Sequence, residues 1–157
     1  MIATLVATLL AALAAPVPLA ARSVAISAGV GAGYGLAGVR LEAPIFDLGP
    51  GTLSPYVALM PGRFNFDGTE PPRRYAALGA RWIGERRLAP VFALNLATSF
   101  PSDQALVSTT AGCRVRLGPA FVEAGAGPAV LLLRRSAVFG SGARPLFDVD
   151  LGLGVEL

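Results

Sequence analysis

The chain has 157 residues, which suits a single domain. Hydrophobic residues make up 54% of it and charged residues only 15%, too apolar for an ordinary soluble domain. Its 13 basic residues are all Arg, scattered around a net charge of +3. That is no nucleic-acid footprint, and the lack of any His excludes Ser-His-Asp and Cys-His machinery in its usual form.

Residues 1–21 read as a cleavable export signal. They are apolar through about residue 15, then carry Pro16, Pro18 and small residues, with cleavage expected after Ala20 or Ala21. No Lys or Arg precedes Arg22, a departure from the usual basic start of such a signal. The remainder, residues 22–157, is one domain. Beyond the leader no uninterrupted apolar run reaches the ~18 residues expected of a spanning helix. Cys113 is the only cysteine, so no disulfide forms within the chain, and the thiol reads as a small hydrophobe.

From residue 23 onward the pattern has period two, which means strands with two different surroundings. In 23–35, Val24, Ile26, Ala28, Val30, Ala32 and Tyr34 share one face, and Ser27, Gly29, Gly31 and Gly33 lie on the other. In 36–43, Ala37, Val39 and Leu41 alternate with Gly38, Arg40 and Glu42. A third strand at 53–64 is interrupted by Pro55 and Pro61, and either of its faces could be the apolar one. In 74–82, Ala76, Leu78, Ala80 and Trp82 alternate with Tyr75, Gly79 and Arg81. In 90–100, Phe92, Leu94, Leu96 and Phe100 alternate with Ala93, Asn95 and Ser99. In 107–117, Val107, Thr109, Ala111, Cys113, Val115 and Leu117 alternate with Ser108, Thr110, Gly112, Arg114 and Arg116. In 120–132, Val122, Ala124, Ala126 and Val130 alternate with Phe121, Glu123, Gly125 and Gly127. The last strand, 147–157, places Phe147, Val149, Leu151, Leu153, Val155 and Leu157 against Asp148, Asp150, Gly152, Gly154 and Glu156. The count is eight strands of about 9–13 residues, where a tilted membrane-spanning strand needs about 9–11.

The connections alternate as well. The segments "DLGPGT", "GERR" and "GP" are short, whereas "NFDGTEPPRR", "PSDQ" and "RSAVFGSGARP" are mostly longer and more polar. Only the first hairpin, at Gly35-Leu36, breaks the rule by being short. Short turns at one end and longer loops at the other are the layout of an outer-membrane barrel. On that layout Tyr34, Phe64, Phe66, Phe100 and Phe147 fall near the outer rim, and Tyr56 and Trp82 near the periplasmic rim, as two aromatic girdles.

In strand count, alternation, loop asymmetry and its final strand, the segment 23–157 resembles the small eight-stranded outer-membrane barrels of the OmpA/OmpX type. The resemblance implies an all-β, antiparallel up-and-down transmembrane barrel. It also implies outer-membrane lipid as surroundings, and assembly by the barrel-assembly machinery through the last strand. In that family the last strand ends in an aromatic residue, whereas here it ends in Leu157. Enzymes of similar architecture, such as lipid A deacylases, palmitoyltransferases and omptin-type proteases, use an essential His that this chain lacks.

The less apolar face is mostly Gly, Ala and Ser with a few charges, which suits a crowded interior better than a solvated exterior. The apolar face is therefore expected to point outward. The lumen then holds Arg40, Glu42, Arg81, Arg114, Arg116, Glu123, Asp148, Asp150 and Glu156, four positive and five negative groups. Buried charges need partners, so a structural ion-pair network is expected. A two-residue turn at Gly118-Pro119 would set Arg114 directly opposite Glu123. Pro55, Pro61 and Pro128 fall within expected strands, and each would require a bulge or a local break.

Nothing points to catalysis. Asp148 and Asp150 share a strand face, but beside lumen arginines such a pair reads as structural rather than as an acid and base. "GVGAGYG" at 29–35 is followed by no helical pattern, so it is not a phosphate loop. Without His, and with one Cys, no metal site or cofactor is expected. Arg134-Arg135 reads as a solvated rim. The expected protein is a non-enzymatic outer-membrane barrel with a side-chain-plugged lumen and a structural or surface-interaction role. The alternatives are a secreted or periplasmic lipocalin-like barrel holding an apolar ligand, and a narrow solute channel.

Overall fold

The computed structural model describes residues 23–61, 74–100, 104–133 and 142–157. The expected export signal, Phe64, Phe66 and Arg134-Arg135 lie outside them. The strands are β1 (Ala25–Gly31), β2 (Leu36–Glu42), β3 (Phe46–Asp47), β4 (Gly51–Leu59), β5 (Arg74–Gly84), β6 (Leu88–Phe100), β7 (Gln104–Leu117), β8 (Ala120–Leu133) and β9 (Gly142–Glu156). All pairings are antiparallel, and sequence neighbours pair from β4 through β9. β1 pairs with both β2 and β9, and β2 pairs with β4, so the sheet closes on itself as an eight-stranded barrel. The two-residue β3 hangs on β4 as a side hairpin. No described segment is α-helical.

Alternation sets the two faces, as strand geometry requires. Val30, Val39, Val57, Leu78, Leu94, Val122, Leu151 and Leu153 are exposed on the outside. Arg40, Glu42, Arg81, Arg114, Glu123, Asp148 and Asp150 are buried inside. Gly118, at φ +73°, makes the two-residue turn between β7 and β8, and Arg114 faces Glu123 across the ladder, the register the turn predicts. The third ring strand spans Gly51–Leu59, with Val57 and Leu59 outward and Tyr56 and Ala58 inward. β9 starts at Gly142 rather than Phe147, because its ladder with β8 runs on to Leu133 opposite Gly142.

Two expectations about aromatic residues are overturned. The first strand stops at Gly31, and Ala32–Tyr34 form one turn of 3-10 helix closed by Gly35 in the left-handed region at φ +63°. The alternation loses its phase there. Ala32 and Tyr34 turn into the barrel, fully buried, and Tyr34 is no rim aromatic. Tyr56 also points inward, opposite Gly79 on β5, and belongs to no girdle. Phe100 and Phe147 are exposed on the outside at the end where the longer connections lie. Trp82 stays half-buried on the outer wall, its ring centroid 5.8 Å from that of Phe92.

The prolines fit with less disruption than expected. A strand residue directs its N–H and C=O to the same neighbour, so each proline costs a bond on one side only. The missing N–H of Pro55 faces β2 just past the last paired residue, where its carbonyl still accepts from Ala43 N–H at 3.1 Å. Pro61 lies beyond β4. Only at Pro128 does the missing N–H fall inside a ladder. The pairs 109–128 and 110–127 drop out of the β7–β8 ladder while the register on either side is unchanged, a break and no bulge.

Candidate functional site

The interior is the place where chemistry could sit, and it is layered. At the end of the short turns, Arg116 Nε donates to Glu156 Oε1 at 3.0 Å and to Oε2 at 3.2 Å. Both side chains are partly exposed, at 11% and 23%. Arg114 Nη1 bridges from Glu156 Oε1, at 3.2 Å, into the next layer.

That layer is a closed cluster of three arginines and two glutamates. Arg114 Nη2 lies 3.0 Å from both Glu42 Oε1 and Glu123 Oε2. Arg81 Nη1 donates to Glu42 Oε2 at 2.7 Å and its Nη2 to Glu123 Oε2 at 3.0 Å. Arg40 Nη2 donates to Glu123 Oε1, as does the Tyr34 hydroxyl at 2.6 Å. The rest of the Arg40 guanidinium is held by rings: its carbon lies 4.2 Å from the Tyr34 centroid and 5.5 Å from that of Tyr56. Arg114 packs likewise 3.9 Å over Phe121. Arg40 Nε and Nη1 and Ser27 Oγ find no hydrogen-bond partner among the described residues. The shared positive layer thus rests on cation–π contact as well as on carboxylates.

Above it the expected network divides. Asp148 and Asp150 form no ion pair with any described arginine; neutral donors hold them instead. Asp148 accepts from Ala32 N–H at 3.0 Å and from Ser108 Oγ at 2.6 Å. Asp150 accepts from Gly33 N–H at 3.1 Å, Asn95 Nδ2 at 3.2 Å and Thr110 Oγ1 at 3.3 Å. The two carboxylates anchor the 3-10 turn in the barrel across more than a hundred residues of chain. The sequence reading missed Tyr34 and Tyr56 as parts of this interior; it put Asn95, Ser108 and Thr110 on the inward face, where they are buried, but did not name them as partners of the aspartates. Asn95, the amide in an otherwise apolar stretch, was the available signal: it accepts from the Tyr56 hydroxyl at 2.7 Å and donates to Ser108 at 3.0 Å.

Beyond the turn comes an apolar layer, and buried Tyr75, Ser99 and Gln104 bring polar groups back at the far end. Ala58, Ala77, Ala97, Leu106, Ala129, Leu131 and Leu133 form a buried cluster with Ala32 and Tyr56. A polar lining along the full length is therefore not what the fold contains.

Glycines make the space for the rings. Gly29 faces Gly152 across the β1–β9 ladder, and the Tyr34 ring lies over both. A Cβ on Gly152 would overlap the Tyr34 hydroxyl, and the shift needed would break its bond to Glu123. Gly152→Ala is expected to destabilise the barrel by about 1–3 kcal/mol as an overpacking change. Urea unfolding of the refolded protein measures it, and in a Tyr34→Ala background the loss should shrink to a few tenths.

Chemically the interior is a set of groups paired with one another, apart from Arg40 Nε and Nη1 and Ser27 Oγ. Asp148 and Asp150 accept from neutral donors, Glu42 and Glu123 face arginines, and no three metal-ligating side chains gather among the described residues. Comparison with protein-family models, with curated proteins and with solved structures finds no match for this chain.

Proposed function

We propose that this chain is a non-enzymatic outer-membrane β-barrel whose lumen is plugged by its own side chains, with a structural or surface-interaction role. The observation that carries the reading is the composition of the outer wall. Among the described residues, the outward positions of the eight ring strands hold three polar side chains, Arg74, Thr98 and Thr109, beside the thiol of Cys113. Arg74 starts its strand, and Thr98 Oγ1 bonds to Gln104 O at 3.4 Å near the same end. A wall in water would carry charges on that face, and contiguous apolar surface of this extent on a monomer marks an interaction with something apolar. Bilayer lipid is the partner that surrounds a barrel on every side, and closure pairs the strands around the ring, with gaps at Pro128 and on the β1 side of β9 beyond Leu151.

A lipocalin-like barrel needs its apolar strand faces inside, whereas Leu151, Leu153 and Val155 lie outside. A solute channel needs a continuous wet path, against which stand the arginine–glutamate layer and the apolar layer beyond the 3-10 turn. The last strand, β9, presents the alternating face through which the assembly machinery would recognise the chain.

Gel mobility of the protein from isolated envelopes, boiled against unboiled, tests the reading. A heat-dependent shift in the outer-membrane fraction is the expected result. Recovery in the soluble periplasmic fraction with no shift would overturn it.

A further inference from the structure

Four prolines lie within ring strands of the described chain, and three of them lose nothing inside a ladder. Pro55 faces the end of β2, Pro90 faces Gly84 beyond the last β5–β6 pair, and Pro145 directs its nitrogen to the side of β9 that β1 does not reach. Pro128 is different. Its missing N–H is the one that would donate to the carbonyl of Thr109 in the middle of the β7–β8 ladder. The Thr109 carbonyl is left without its ladder donor. The side chain of the same residue points outward, is exposed, and its hydroxyl makes no hydrogen bond with the described protein. Thr109 therefore presents an unpaired acceptor and an unpaired hydroxyl on a face where the other mid-strand side chains are apolar.

Thr109 lies in the floor of a groove on the outer wall. Leu53, Trp82, Phe92 and Leu94 form one side, Pro128 the other, and Ala111 and Ala126 keep the floor low. Trp82 contributes no donor there, because its indole N–H already donates to Leu48 O at 3.2 Å. We infer that this groove binds a lipid whose acyl chain carries a hydroxyl group. One hydroxyl can donate to the Thr109 carbonyl and accept from the Thr109 hydroxyl at the same time, while the chain lies along the apolar walls. A plain acyl chain leaves both groups unsatisfied in hydrocarbon, and a carbonyl-bearing chain supplies no donor for the main-chain oxygen. The inference rests on the membrane reading above, since it takes the ligand from the bilayer.

Trp82 is the only tryptophan of the chain, so its emission reports on the groove directly. The test titrates the protein, refolded into phosphatidylcholine vesicles, with 3-hydroxytetradecanoic acid and separately with tetradecanoic acid. The hydroxylated acid should shift Trp82 emission saturably at a roughly tenfold lower mole fraction, the scale of a net hydrogen bond. Thr109→Val, which keeps shape and removes the hydroxyl, should reduce that preference. Pro128→Ala, which returns a donor to the Thr109 carbonyl, should reduce it as well, and the double variant should show none. Equal titration by the two acids in the unaltered protein would overturn the inference, as would a preference that survives the double variant. A concentration-dependent dimer quenched identically by both acids would assign the groove to a second copy of the chain. Failure of the protein to insert into vesicles, read by loss of the heat-dependent gel shift, overturns the membrane reading and this inference together; insertion without preference overturns this one alone.

Discussion

Leu151→Arg is expected to block stable insertion of the barrel into a bilayer, while Leu117→Arg is largely tolerated. Leu151 is exposed on the outer wall at mid-strand, opposite Ala124 on one side and Val30 on the other. Leu117 is equally outward but closes β7 at the short-turn end. An outward Arg at the bilayer midplane costs about 2–4 kcal/mol, and near the interface about 0–1. In water the two substitutions would be indistinguishable, since exposed changes of this kind stay within about 0.5 kcal/mol. The depth dependence is therefore the diagnostic quantity. The yield of heat-modifiable protein after refolding into vesicles measures it, and equal yields for both variants would remove the lipid from around the wall.

The same alternation that makes this prediction possible is what the sequence displays most openly. A strand between two different surroundings must write them into its odd and even positions, so seven of the eight ring strands and their faces can be read directly. The Arg114–Glu123 pair is legible because Gly118-Pro119 leaves a single register. Parity fails where the chain leaves the sheet. At Gly31 the backbone turns at φ +113°, and nothing in Ala32 or Tyr34 declares that the phase has changed, since small and aromatic side chains suit either face. The flanking glycines were the only local sign. The partners of Asp148 and Asp150 were out of reach for a related reason. They are main-chain N–H groups of that unforeseen turn and hydroxyls on other strands, and neither kind announces itself as a counter-charge. Leu106, Leu131 and Leu133, which line the apolar layer, lie on strand segments that are apolar on both faces, where alternation carries no information.

The largest effect inside the barrel is expected at Glu123. It stands on β8 and receives donors from Arg40 on β2, Arg81 on β5, Arg114 on β7 and Tyr34 in the 3-10 turn, so one carboxylate ties together four separate parts of the ring. Glu123→Gln keeps the shape and removes the charge, leaving three buried arginines to Glu42, with Glu156 reaching only Arg114 from the mouth. Removing one partner of a buried charge group costs about 3–5 kcal/mol, because the remaining charges lose their compensation while staying out of water. Glu156→Gln serves as the control. Its carboxylate also binds two arginines, but at the partly exposed mouth, where water replaces what is lost and about 1 kcal/mol or less is expected. Urea midpoints of the compact band measure both. Matching midpoints for the two variants would mean that water reaches Glu123 as freely as Glu156. The interior would then be a wet passage, and a conductance recording on the unaltered protein would take precedence over any structural role.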